Sequence, residues 1–127
     1  MANAESEITY LLWGSPQEGE VWNHIAESFM ATNPEIKVTV EVADWDSYWE
    51  KLRVQMAGGT PPDVFAMDAP LFMDWQSRDV LLDLTPFIEA EGYDLSQLDD
   101  NAVKGFTTPD GVVSCLPRDL NVIALFY

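Results

Sequence analysis

The sequence predicts an α/β fold with a doubly wound, mostly parallel sheet and helices on both faces of that sheet. β-rich apolar segments alternate with amphipathic helical stripes through the first half of the chain. Such alternation favours parallel strands joined by crossover helices. The 127 residues suit one domain, and a hydrophobic content of 47% is enough for a buried core.

The first strand and helix have clear sequence signals. Ile8 to Trp13 is nearly continuously apolar, as buried strands are. Ser15 to Glu18 forms a predicted capping box with proline at the first helical position. One helical stripe follows, made of Val21, Trp22, Ile25, Ala26, Phe29 and Met30. Asn33-Pro34 ends this helix.

Two further strand and helix pairs follow. Ile36 to Val42 alternates and is β-branched, which predicts a strand. Asp46 is the predicted cap of a second helix, which Gly58-Gly59 ends. A short strand is expected at Asp63 to Met67, and Asp68 is expected to cap a third helix. The apolar stripe of the second helix is Trp45, Trp49, Leu52 and Met56.

The remaining elements are shorter. Thr85-Pro86 starts a predicted helix that runs to about Glu91, and another short helix is expected from Gln97 to Val103. A turn at Pro109-Asp110-Gly111 separates these helices from predicted strands at Val112–Leu116 and Asn121–Tyr127. The last strand is apolar where chain ends are usually polar, so we expect a piece of a longer protein.

Charge and cysteine content exclude several function classes. Six basic residues face 22 acidic ones, a net charge of −16, which disfavours nucleic acid and anionic lipid. A single cysteine excludes an internal disulfide and a cysteine-cluster metal site. We expect no metal and no cofactor. The polar, acidic start of the chain lacks the features of a signal peptide, which leaves a cytosolic protein or a mature exported one.

Candidate ligand-binding residues follow the predicted strands, because ligands of open α/β sheets bind beyond the carboxyl ends of the strands. They combine aromatic rings with carboxylates and one guanidinium. Pyranoses have apolar C–H faces that stack on rings, and hydroxyls that bond strongly to charged groups. The sequence therefore predicts a sugar site. The candidates are Trp13, Ser15, Asp44, Trp45, Asp68, Arg118 and Asp119.

Purely structural roles are open for many of these residues. Trp22, Trp49 and Trp75 are expected in the core, while Trp13 and Trp45 suit a core role and a ligand contact equally. Asp46 and Asp68 suit helix caps, and Arg118 suits a surface pair with Asp119. We expect His24 to be a solvated histidine between glutamates and Cys115 to be a small buried hydrophobe.

Several segments, in their order and spacing, resemble the extracellular solute-binding proteins of carbohydrate ABC importers, the family of maltose-binding proteins. They are Ile8–Trp13, Phe29–Val38, Ala57–Phe65, Leu81–Phe87, Asp110–Gly111, Leu116–Asp119 and Leu125–Tyr127. The resemblance implies a type II periplasmic-binding-protein-like lobe, incomplete here. Residues 1–127 would be the N-terminal part of lobe one, and 121–127 the strand that crosses to a second lobe. It also implies a periplasmic or extracellular location, with a lipid anchor in some relatives.

The resemblance implies a protein that closes on a sugar and delivers it to a membrane permease, with no enzymatic activity. By position, the ligand-facing loops of the family match Trp13 to Ser15, Asp44 with Trp45, Asp68, and Arg118 with Asp119. Binders of ferric ion or polyamines share the architecture. A phospho-acceptor receiver domain using Asp68, or a two-carboxylate glycosidase, is a weaker alternative. We expect weak or no binding by this segment alone, and self-association or strand exchange through its unpaired surfaces.

Overall fold

The structure is a computed structural model that describes residues 6–120. The chain divides into two compact units. Unit 1 is Met1–Ala66 and unit 2 is Met67–Tyr127. Within residues 6–120, no helix is both long enough and apolar enough to cross a lipid bilayer.

Unit 1 contains a three-stranded parallel sheet, as the sequence predicts. Its strands are β1 (Ser6–Trp13), β2 (Ile36–Ala43) and β3 (Val64–Phe65), in the order β2-β1-β3. All eight residues of β1 are in register with β2, from Ser6 opposite Ile36 to Trp13 opposite Ala43. The central position of β1 explains why Leu11 and Leu12 are fully buried. The third strand is shorter than predicted, since only Val64 and Phe65 pair with β1.

Helices α1 (Pro16–Thr32) and α2 (Trp45–Ala57) form the two crossovers of unit 1. Tyr10 meets Trp22 of α1, whereas Trp13 meets Trp49 of α2. Residues 10 and 13 point to opposite faces of a strand, so the two helices cover opposite faces of the sheet. This confirms the doubly wound arrangement, which right-handed crossovers to both sides of β1 require.

The starts of the two helices confirm one prediction and correct another. At α1, Ser15 Oγ accepts a hydrogen bond from the Glu18 N–H at 3.2 Å, and Glu18 Oε2 accepts one from the Ser15 N–H at 2.7 Å. The predicted capping box is therefore present. The prediction that Asp46 caps α2 is wrong. Asp44 is extended and its carboxylate accepts from the Ser47 N–H at 3.1 Å, so the helix already starts at Trp45.

Between residues 67 and 120, unit 2 has three short helices, α3 (Ala69–Ser77), α4 (Thr85–Glu91) and α5 (Asp100–Gly105), with a 3₁₀ turn at Leu95–Gln97. Phe72 is fully buried and meets the edge of Phe106 with 5.6 Å between ring centroids. α4 lies where the sequence places it. α5 starts later than predicted, because Asp99 accepts from the Asn101 and Ala102 N–H groups and fixes the start of the helix.

One further prediction for unit 2 holds only for the position of the residue, and another is wrong. Asp68 occupies the cap position of α3, but its side chain makes no capping hydrogen bond. Residues 112–116 form no strand, since within the described residues only Val113 pairs, through a single antiparallel bridge to Thr107. Val113 is held instead by hydrogen bonds with Leu84 and Thr85. The predicted strand at Asn121–Tyr127 lies outside the described residues.

Candidate functional site

Four aromatic rings lie together where β1 and β2 end and α2 begins. We call Trp13, Trp45, Tyr48 and Trp49 the aromatic cluster. Trp13 meets the edges of Trp45 and Tyr48 with centroid distances of 5.0 and 5.2 Å, and is stacked with Trp49 at 5.9 Å. Each such pair adds about 0.5–1.5 kcal/mol beyond the area it buries. The cluster is therefore a rigid platform.

The four rings of the aromatic cluster differ in how deeply they are buried. Tyr48 is fully buried, and its hydroxyl donates to the Ala66 carbonyl. Trp49 is 4% exposed, whereas Trp45 is 46% exposed and Trp13 is half-buried. The inner rings thus hold the outer ones in place, and Trp45 presents an apolar surface to solvent at the carboxyl edge of the sheet.

Polar groups border this platform. Asp44 precedes Trp45 and is exposed. Hydrogen bonds from the side chain and backbone of Ser47 hold the pKa of the Asp44 carboxyl below its usual value, so it is an ionised acceptor. Ser15 follows the end of β1, and the Gly14 N–H donates to the Ala43 carbonyl at 3.0 Å, which joins the ends of β1 and β2.

An exposed indole beside an ionised carboxylate suits a ligand with one apolar face and a hydroxyl edge. The ring can cover the C–H face of a pyranose. A carboxylate has about four lone-pair sites, so Asp44 can accept from a ligand hydroxyl while it caps α2. Hydrogen bonds to charged groups are about twice as strong as neutral ones.

The other three candidates belong to unit 2. The Arg118 Nε donates to Asp119 Oδ2 at 3.0 Å, and the Arg118 side chain is 21% exposed. Both residues line a cavity of about 230 Å³, together with Asp99 and Ala102. Asp68 is half-buried at the start of α3 and is not among the residues that line this cavity.

Comparison with known proteins identifies the family of the chain. The model of the bacterial extracellular solute-binding protein family matches residues 13–127. The chain belongs to this family. Its members bind solutes, so the family is not an enzymatic one, and the fold is that of periplasmic binding proteins.

Solved structures of other solute-binding proteins are similar to this chain. An ABC substrate-binding protein from Listeria monocytogenes, in complex with cycloalternan, is 34% identical over 85% of the chain, with a TM-score of 0.77. A periplasmic solute-binding protein from Pectobacterium atrosepticum is 31% identical over 90%, with a TM-score of 0.78. A periplasmic oligogalacturonide-binding protein from Yersinia enterocolitica is 27% identical over 85%, with a TM-score of 0.73. The chain spans 28%, 27% and 26% of these three chains.

For this member of the solute-binding family, sequence reasoning located part of the candidate site. The structure brings Trp13, Asp44 and Trp45 together and places Ser15 at the same edge of the sheet. It also pairs Arg118 with Asp119. That all seven candidates face one ligand stays a prediction.

Two residues near the site were missed. Tyr48 lies three residues after Trp45 and one before Trp49, so helical spacing places it on the same face of α2. Glu18 was recognised only as part of a capping box. Its carboxylate lies 3.2 Å from the position that a Cβ on Gly14 would take, and therefore covers the end of β1. Helical spacing was thus enough to find the first residue, and the cap itself indicated the second.

Two other residues considered in the sequence analysis, His24 and Cys115, lie outside the aromatic cluster and its neighbours. The His24 side chain is solvated, and its Nδ1 lies 3.2 Å from Glu27 Oε2, as predicted. Cys115 is half-buried rather than buried, and loss of solvent raises the pKa of its thiol to about 12. Among residues 6–120, no three histidine, cysteine or carboxylate side chains form a group that could hold a metal ion.

Proposed function

We propose that this chain is the N-terminal part of lobe one of a solute-binding protein that holds a sugar or oligosaccharide and delivers it to an ABC transporter permease. The observation that carries the proposal is the exposed Trp45 ring, held by Trp13 and Trp49 and bordered by Asp44. The structural relatives with cycloalternan and with saturated digalacturonic acid support a saccharide ligand.

In this proposal, unit 1 contributes one wall of a cleft and a second lobe contributes the other. Residues 121–127 would begin the strand that crosses between the lobes. A ligand held from both sides stabilises the closed form, because only that form makes all of the contacts. The protein then acts in the periplasm or outside the cell, and the permease recognises its closed form.

Isothermal titration calorimetry of the full-length gene product against a panel of neutral and acidic oligosaccharides tests the proposal. At least one saccharide should bind with micromolar affinity, which corresponds to about −8 kcal/mol. Trp45→Ala should weaken that binding at least tenfold, because it removes the exposed ring of the platform. Trp45→Phe should restore most of the affinity, since it restores an aromatic face.

A matched control lies on the same helix. Val54 is 66% exposed near the end of α2, and Val54→Ala truncates an exposed apolar side chain away from the carboxyl edge of the sheet. This variant should bind the saccharide as the parent protein does. Binding of spermidine or ferric ion with no saccharide binding would favour the non-sugar alternative. If Trp45→Ala bound the saccharide with unchanged affinity, the aromatic cluster would not be part of the binding site.

A further inference from the structure

Carboxylates far outnumber basic side chains in this chain. Acidic residues number 22 and lysines with arginines six, so the net charge is −16 even if every base pairs with one carboxylate. Between residues 6 and 120, all acidic residues are exposed except Glu41 and Asp68, which are half-buried. The excess negative charge therefore lies at the surface, where the charges interact through water and the ions dissolved in it.

Most of the basic side chains are already used in ion pairs. Four pairs have N–O distances between 2.6 and 3.0 Å: Lys37 with Glu7, Lys51 with Glu41, Arg78 with Asp74, and Arg118 with Asp119. Each pair offsets one carboxylate and leaves no net positive charge for the others. The excess of carboxylates is thus not compensated by these bases.

The other carboxylates differ in what they do for the fold. Some accept hydrogen bonds from the backbone, as Asp63 does from the Thr9 N–H at 2.8 Å. Others have no such role. Within the described residues, the side chains of Asp79, Glu89 and Glu91 are exposed and make no hydrogen bond or ion pair. These three charges add repulsion without a contact that offsets it.

The sequence around these three residues contains no base. Residues 79–103 include seven acidic side chains and no lysine, arginine or histidine. Glu89 and Glu91 also lie at the C-terminal end of α4, where the helix dipole is negative. No base from the same stretch of chain therefore compensates these charges.

We propose that salt stabilises the fold of this chain, because dissolved cations screen the repulsion among its carboxylates, and that the fold reaches full stability only at high ionic strength. A large net charge destabilises the compact state through self-repulsion. Two like charges about 10 Å apart in water change the folding equilibrium about twofold. The screening length falls from about 30 Å at about 0.01 M salt to about 3 Å at about 1 M, so most of this repulsion disappears in concentrated salt. The proposal concerns stability and does not depend on the proposed sugar binding.

Urea denaturation of the full-length gene product at low and at high potassium chloride concentration, about 0.02 M and about 2 M, tests the proposal. Urea is uncharged and leaves the ionic strength unchanged. The urea midpoint should rise with the salt concentration. A further measurement adds calcium chloride to the low-salt buffer, at a concentration that leaves the ionic strength almost unchanged, and should give little of this rise.

A triple variant, Asp79→Asn with Glu89→Gln and Glu91→Gln, assigns the effect to carboxylates. At low salt its ratio of folded to unfolded protein should exceed that of the parent about eightfold, which is about twofold for each charge. In concentrated salt the gain should fall below about twofold. Asparagine suits position 79, where φ is 59°.

The matched control removes a charge of the opposite sign. Arg53 is exposed on α2 and forms no ion pair among the residues that the structure describes. Arg53→Gln should lower the ratio of folded to unfolded protein about twofold at low salt, and by less in concentrated salt. Effects of salt that do not depend on charge act alike on both variants, so the two opposite changes isolate screening.

Three outcomes would overturn the proposal. The first is a urea midpoint that stays constant or falls as salt is added. The second is a triple variant that gains as much from salt as the parent, because these carboxylates would then not cause the effect. The third is a full rise at the low calcium concentration, which would assign the stabilisation to a bound ion and not to screening.

Discussion

Two aromatic surfaces lie on opposite faces of the same sheet in unit 1. The aromatic cluster is bordered by Asp44, and the burial of its rings decreases from Tyr48 to Trp45. On the α1 face lies an apolar groove of about 220 Å³. Its lining residues are Tyr10, Trp22, Ile25, Ala26, Phe29, Val38 and Val40. Here Ile25 and Phe29 are 50% and 42% exposed, with no charged side chain in the lining.

The difference explains why aromatic content alone does not distinguish the proposed sugar site from the apolar groove. Both surfaces expose rings, but only the aromatic cluster combines a rigid ring with ionised acceptors. A hydroxyl-rich ligand in the apolar groove would lose its hydrogen bonds to water and gain few in return. Such apolar surfaces are typical of contacts with protein. The combination of ring and carboxylate is therefore the reason why we propose ligand binding at the aromatic cluster and not at the apolar groove.

The largest expected effect is a difference in stability between variants at buried and at exposed tryptophans. Trp49→Ala should lower the free energy of unfolding by about 3–5 kcal/mol, because it leaves a cavity beneath Trp13. Trp22→Ala should lower the free energy of unfolding by about half as much, because Trp22 is half-buried in the apolar groove. Trp45→Ala should change stability by less than about 1 kcal/mol, since its ring is largely solvated. Urea denaturation of the full-length gene product measures all three, and equal losses would contradict the graded burial of the cluster.

A second test concerns the packing of α1 on the sheet. The helix lies close to β2 near its start, at Gly19, and leaves the apolar groove open farther along. A Cβ on Gly19 would lie 3.0 Å from Val42 Cγ2, so the absence of a side chain permits the close approach. Gly19→Val should cost about 1–3 kcal/mol through overpacking. Gly105→Val, where nothing lies within 4 Å of the added carbon, is the control. Equal unfolding free energies for the two variants would mean that α1 can shift freely.

Unit 1 was largely predictable because its signals are local and periodic. The capping box at Ser15 and the apolar run of β1 both specify their elements without knowledge of the rest of the chain. The register of β1 with β2 then brings Trp13 beside Ala43, and so beside the start of α2. Where the prediction was wrong, at Asp46, two nearby acidic residues competed for one cap. Asp44 caps because the strand ends just before it.

Unit 2 was less predictable because long-range contacts decide its structure. Val112–Leu116 has strand-forming residues, but a strand needs a partner along its length. Val113 alone is bridged to Thr107, and its other hydrogen bonds go to Leu84 and Thr85. No local pattern indicates these partners. For the candidate site, the positions of residues after the strands could be predicted from the sequence. How deeply each ring of the aromatic cluster is buried could not, because it depends on how α2 packs against the sheet.

A smaller effect is expected at the two ends of α1. Ser15→Ala removes the side-chain acceptor of the capping box and should lower the free energy of unfolding by about 1 kcal/mol, whereas Ser15→Asp should retain it. Ser28→Ala is the control in the same helix, because Ser28 Oγ donates to the His24 carbonyl of its own helix at 2.9 Å and does not cap the helix start. Denaturation midpoints for the three variants measure the difference. A loss in Ser28→Ala as large as in Ser15→Ala would show that the cap is unimportant.

The smallest expected effect is the contribution of Asp44, beside the aromatic cluster, to the stability of the protein at acid pH. The hydrogen bonds from Ser47 lower the pKa of Asp44 in the folded state, so the unfolded chain binds its proton first as the pH falls. The stabilisation is complete above the ordinary pKa of 3.8 and is lost as the pH falls through the lower folded value. Asp44→Asn keeps a capping oxygen but cannot titrate. Its urea midpoint should therefore fall less than that of the parent between about pH 5 and about pH 3. Part of the acid sensitivity should remain, because the pKa of Glu7, which bonds to Lys37, is lowered in the same direction. A variant as acid-sensitive as the parent would show that protonation of Asp44 does not weaken this end of the sheet.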